Sequence, residues 1–147
     1  MLEVYERLGL DAALSEDENV TLSHEQRVKG RLRAVSNAGT EIRIFLERGQ
    51  TIAVGEVLSS QCGKKIRVQG AVEPVTRASC DDWVLFSRAC YHLGNRHVKL
   101  QVGERWLRIQ PDHVLEEMLI QLGLNLQTEE AVFEPESGAY AHGHHAH

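Results

Sequence analysis

Residues 83–97, WVLFSRACYHLGNRH, carry the pattern on which the fold turns. Trp83, Phe86, Cys90 and Leu93 recur at spacings of three and four, the period of a helix with one apolar stripe. The acidic pair Asp81-Asp82 precedes them, with Asp81 a suitable N-cap. Gly94-Asn95 follows the last periodic residue, where glycine adopts the left-handed conformation that ends helices. The spacing therefore predicts a helix from Trp83 to about Leu93, stopped at Gly94. One thiol (Cys90) and two imidazoles (His92 and His97) sit around its end. Their spacing alone leaves three readings open: a catalytic pair, a metal site, or a helix end with histidines nearby.

On either side the period changes to two. AVEPVTRAS, residues 71–79, reads as a strand in which Pro74 demands an edge or an early position. HVKLQV, residues 97–102, alternates Val98, Leu100 and Val102 toward the helices, so His97, Lys99 and Gln101 are expected on the opposite face. Gly103-Glu104 suits a two-residue hairpin loop, and RWLRIQ returns as its partner. Pro111 and Asp112 open a second helix with Val114, Leu115, Met118, Leu119 and Leu122 on one stripe, ended by Gly123. LNLQTEEAVF supplies a last extended segment. Strand, helix, strand, strand, helix, strand is the ferredoxin-like βαββαβ order.

Upstream, from Arg27 to about Val68, the chain reads as short strands. VKGRLRAV and EIRIFLERG alternate around the turn at Asn37-Ala38-Gly39, and TIAVGEVLSS and IRVQ follow further turns. That spacing suggests a small β-sandwich or barrel. The expected fold class is α+β: a small all-β domain over residues 1–70, a ferredoxin-like domain over 71–134, and a flexible His-rich tail over 135–147. Mobility is expected from Glu134 onward.

At 147 residues the chain has room for two small domains, and 42% hydrophobic with 25% charged residues suits a soluble globular protein. A net charge of −5 argues against nucleic acid as a partner. No apolar run approaches the roughly 20 residues of a membrane helix, so no membrane association is expected. Residues 1–20 lack the basic region and apolar core of a secretory signal. Cys62, Cys80 and Cys90 are odd in number and form no CxxC pair, which points to a reduced, cytoplasmic setting. No nucleophile elbow, glycine-rich phosphate loop or paired carboxylates appear, so an enzyme is not expected.

Histidine is the unusual component. Of eight, four (His142, His144, His145 and His147) crowd the last six residues, interrupted by Gly143 and Ala146. Imidazoles spaced along a flexible chain can wrap a borderline divalent ion such as nickel, copper or zinc. His24 is expected on the surface. His92 suits the negative end of a helix, and His113 falls in a first helical turn, where the dipole offers a cation nothing. Both are weaker ligand candidates.

Three blocks, ACYHLGNRH at 89–97, PDHVLEEML at 111–119 and FEPESGAYAHGHHAH at 133–147, resemble the UreE-type urease accessory proteins, which are dimeric nickel metallochaperones. VKGRLRAV, IFLERGQTI and GEVL resemble that family's β-domain, so the likeness covers nearly the whole chain in order. It implies a partner-binding β-domain and a metal-binding ferredoxin-like domain. It further implies Ni(II) as cargo, His97 as the ligand at a homodimer interface, and tail ligands from His142, His144, His145 and His147. The implied partners are the urease accessory GTPase and the apo-urease complex. Where some relatives carry further histidines before the second helix, this chain has RIQPDH, with His113 alone. Zn(II) or Cu(II) can occupy the same ligands. A metal-buffering protein with no delivery role is the competing expectation.

Overall fold

Leu2 and Val4 are buried and Tyr5 is exposed along the first strand, β1 (Leu2–Gly9), of a computed structural model that describes residues 1–137. The strands thus begin well before Arg27. β2 (Glu18–Leu22) is followed by a one-turn helix, α1 (His24–Val28), where a strand was expected to start. Ser23 and Gln26 close a capping box there: the Ser23 hydroxyl accepts the Gln26 N–H at 3.2 Å, and the Gln26 side chain accepts the Ser23 N–H at 2.9 Å. His24 is 4% exposed, not on the surface as expected, because α1 turns it inward.

The chain continues through β3 (Arg31–Val35), β4 (Glu41–Phe45), β5 (Val57–Ser60) and β6 (Lys65–Gly70). TIAVGEVLSS yields a strand only from Val57; before it, the Ile52 N–H bonds the Arg27 carbonyl at 2.9 Å and Ile52 enters the core. The sheet order is β2-β6-β5-β1-β4-β3, with β1–β4 and β2–β6 parallel and the other pairs antiparallel. Its core gathers Leu2, Val4, Val20, Leu22, Ile42, Ile44, Ile52, Leu58, Ile66 and Val68.

A second compact unit begins at Val72. It contains β7 (Val72–Ser79), α2 (Trp83–Asn95), β8 (Gln101–Val102), β9 (Trp106–Ile109), α3 (His113–Leu122) and β10 (Asn125–Val132). The order β10-β7-β9-β8 is antiparallel throughout and places β7 inside the sheet. Pro74 is tolerated there because β9 pairs only with Thr76–Ser79, leaving Pro74 opposite Glu130 of β10 alone. Ala78, Phe86, Ala89, Leu93, Leu100, Leu107, Ile109, Leu119 and Leu124 form this unit's own core. The chain is thus a two-domain protein of mixed α and β content, mostly strand.

On α3, Asp112 is the N-cap, accepting the Leu115 N–H at 3.1 Å. Glu116 reaches back to the Asp112 N–H at 3.2 Å and accepts the Thr76 hydroxyl at 2.7 Å, which fastens the helix to β7. Gly123 is the left-handed cap that ends it. The expected stripe is narrower than its spacing implied: Leu119 is buried, Leu115, Met118 and Leu122 are half-buried, and Val114 is exposed.

The hairpin also shifts by one residue. Gly103 donates its N–H to the Trp106 carbonyl at 2.8 Å, so the loop is Glu104-Arg105, with Arg105 left-handed at φ 60°. Gly103 is needed for a different reason: a β-carbon there would overlap the Trp106 indole. That ring is flanked by the Arg77 and Arg108 guanidiniums at 5.1 and 4.8 Å, and Arg108 pairs with Glu129 at 2.7 Å. After β10, Phe133 is buried, and the backbone N–H groups of Glu134 and Glu136 bond the Gln101 side chain (3.1 Å) and the Leu100 carbonyl (2.7 Å). Residues 134–136 are therefore anchored, against the expectation of mobility from Glu134.

Gly103→Ala forces the indole out of its place between two arginines. The variant should lose about 1–3 kcal/mol of stability, measured by thermal or urea unfolding, whereas Gly94→Ala, whose β-carbon meets nothing within 4 Å, should not.

Candidate metal centre

Helix α2 starts at Trp83, as its spacing predicts, but its cap is one residue later than expected. Asp82, not Asp81, is the N-cap, and its carboxylate accepts the N–H groups of Val84 at 2.9 Å and Leu85 at 3.4 Å. Phe86, Ala89 and Leu93 face the core and Cys90 is half-buried beside them. Trp83 is 52% exposed and leaves the expected stripe. With Val84, Ser87, Arg88 and Tyr91 it lines a shallow apolar hollow on the outer side of the helix.

The helix does not stop at Gly94. It runs through Gly94 and Asn95 to a C-cap at Arg96, and the residue that turns left-handed is His97, at φ 58°. The Val98 N–H bonds the Leu93 carbonyl at 3.1 Å and the His97 N–H bonds the Gly94 carbonyl at 3.0 Å. These two bonds are the Schellman closure, and its usual apolar contact falls on Leu93 and Val98, which share one core cluster. His97 therefore sits exposed on a helix-end turn and not at the start of a strand on the open sheet face. The strand shortens to Gln101–Val102, and Val102 is exposed, not turned into the core.

The other candidates are scattered. His92 is exposed in the last turn of α2, edge-on to Tyr91 at 5.4 Å. His113 is exposed at the first position of α3. Among the described residues no three His, Cys, Asp or Glu side chains stand together as a metal-binding group. His142, His144, His145 and His147 lie outside the described residues. His97 is an accessible nitrogen donor that needs further ligands to form a centre.

A thiol–imidazole reading fares badly at Cys90. Burial pushes that thiol's pKa up, toward the neutral form, the opposite of an activated nucleophile. Cys62 is exposed on the β5–β6 turn, 3.3 Å from the Ser60 hydroxyl. That hydroxyl, and then the Lys64 backbone, hold its pKa down.

Sequence reading missed the left-handed turn at His97, the outer apolar face of α2 and the anchoring of residues 134–136. Only the first had a signal: Leu93 and Val98, five apart and both apolar, are the Schellman spacing. No helix among the described residues is long and apolar enough to cross a membrane.

Two family models match the chain. One describes the UreE urease accessory protein, N-terminal domain, over residues 4–71, and the other its C-terminal domain over residues 73–147. The urease accessory protein UreE of Marinomonas sp. (strain MWYL1) is 61% identical over 147 residues, 100% of both chains. The protein of that name from Alteromonas mediterranea is 52% identical over 89% of this chain and 85% of its own. That from Psychromonas ingrahamii is 49% identical over 100% of this chain and 99% of its own.

The thiol geometry gives a direct check. Iodoacetamide at neutral pH should modify Cys62 well before Cys90, followed by peptide mass spectrometry; faster labelling of Cys90 would restore the nucleophile reading.

Proposed function

The chain belongs to the UreE urease accessory protein family, and on that premise we propose that it is a nickel metallochaperone that captures Ni(II) at His97 and hands it on for urease assembly. The observation that carries this reading is the exposed His97 imidazole, held at the end of α2 by a fixed backbone turn. We read the second domain as ferredoxin-like and the chain as a cytoplasmic homodimer. One imidazole is a poor site, and a two-fold axis near the end of α2 sets two His97 rings opposite each other. The outer face of α2, with Trp83, Val84 and Tyr91 exposed, is the apolar surface that favours such pairing. A pairing through the open sheet face, the face on which the alternation had placed His97, would not bring two His97 rings together, since His97 lies on the helix-end turn.

The tail histidines complete the set in this reading. The Glu136 N–H is bonded beside Leu100, only three residues from His97. His142 follows six residues later, a span of about 20 Å when extended, so all four tail imidazoles can reach the same end of the domain. His92 and His113 are secondary candidates on the same unit.

Transfer proceeds by ligand exchange. Imidazole nitrogens that reach the ion from a solvent-exposed turn can be replaced one at a time by donors of the accessory GTPase or of the apo-urease complex. Zn(II) and Cu(II) compete for the same nitrogens, and copper outranks nickel at such donors. A buffering protein would bind equally well but would not accelerate urease activation, so activation by the nickel-loaded protein separates carrier from buffer.

His97→Ala should abolish the tightest nickel site in calorimetry while the circular dichroism stays native; unchanged first-site affinity would remove the basis of the proposal. Deleting residues 141–147 should lower the number of ions bound per dimer with little change in unfolding temperature. Acidification should weaken nickel binding because protons compete for the ligand nitrogens. Titrations at several pH values read this directly.

A further inference from the structure

The residues best suited to a left-handed turn, Gly94 and Asn95, stand inside α2, and the turn itself falls on a histidine. Nothing crowds Gly94, whose β-carbon would meet no atom within 4 Å, and its φ is not left-handed. Ending the helix at Gly94 would pair Cys90 with Asn95 in the apolar position of the closure, which leaves that contact unmade. Ending it at His97 pairs Leu93, fully buried, with Val98, which packs on the same core. The apolar pair therefore sets the helix end, and the left-handed position lands on a residue whose β-carbon disfavours it.

We propose that Leu93 and Val98 are positioning residues for the His97 imidazole, and that histidine stands at this left-handed position at a cost to the stability of the chain. The inference rests on the reading of His97 as the nickel ligand. The two closure bonds and the buried Leu93 fix the His97 backbone, so its Cα–Cβ bond points outward in a set direction. Only the two side-chain torsions remain free, and a metal meets a donor whose backbone is already ordered. Glycine would hold the turn with less strain but brings no nitrogen.

The test uses the full-length protein in two arms. In metal-free thermal unfolding, His97→Gly should raise Tm by about 2–5 °C and His97→Ala, which keeps the β-carbon, should not. A fall or no change in Tm for His97→Gly overturns the proposal even if nickel binding is lost, in which case the ligand reading survives. A rise in Tm with wild-type nickel affinity overturns the ligand reading and with it the positioning role. In the nickel arm, Val98→Ala should lower first-site affinity about tenfold, and Val98→Ile should restore it. The nickel-shifted imidazole proton resonances of His97 should broaden or split in Val98→Ala at temperatures well below unfolding. Unchanged affinity and an unchanged spectrum in Val98→Ala would defeat the positioning role.

Discussion

Leu93 is buried beneath the second sheet and Val98 packs into the same core, so the chain between them must reverse within five residues. That constraint fixes the last turn of α2, its cap at Arg96 and the left-handed backbone at His97. It also fixes the direction in which residues 98–102 leave the helix. Leu100 then enters the core, while its carbonyl holds Glu136 and the neighbouring Gln101 side chain holds Glu134. One apolar contact thus places the exposed imidazole and, through Leu100, the root of the tail.

Where periodicity and core burial coincide, the sequence was a sufficient guide. Phe86 and Leu93 located α2, the Gly123 signal ended α3 correctly, and alternation found β3 and β4. Where one residue satisfies two rules, it misled. Gly94 is an excellent helix terminator, yet the apolar pair on either side of it, Leu93 and Val98, outweighs it, because burying that pair contributes more than relieving a single strained φ. Gly103 looked like a turn residue and is needed for a close approach to Trp106. The first strand was overlooked because the consecutive charges Glu6 and Arg7 break its alternation after Val4, and its parallel partner β4 lies some 40 residues away. The Ser23–Gln26 capping box was legible and marks α1, the helix that buries His24.

Each unit has its own contiguous core, and β7 opens two residues after β6 closes. The six-stranded sheet contains none of the candidate ligands among the described residues. In the proposed function it leaves metal handling to the second unit and remains available for a protein partner. His97, His92 and His113 all belong to the second unit, as does the anchored stretch from which the tail departs.

The candidate site, as far as the described residues go, consists of separate exposed imidazoles. Structural metal sites close the ion within a full ligand set held by the fold, and catalytic ones hold it by about three protein ligands with one position open. Here the described residues offer no such set, only single imidazoles on exposed turns. In the proposed mechanism the fold then contributes the direction of the first nitrogen, while number and affinity depend on a second copy and on the tail. In that mechanism direction and release are set by different parts of the chain. Losing one borrowed ligand weakens the hold without disturbing either core, which is the condition under which a partner's donors can take over the ion stepwise.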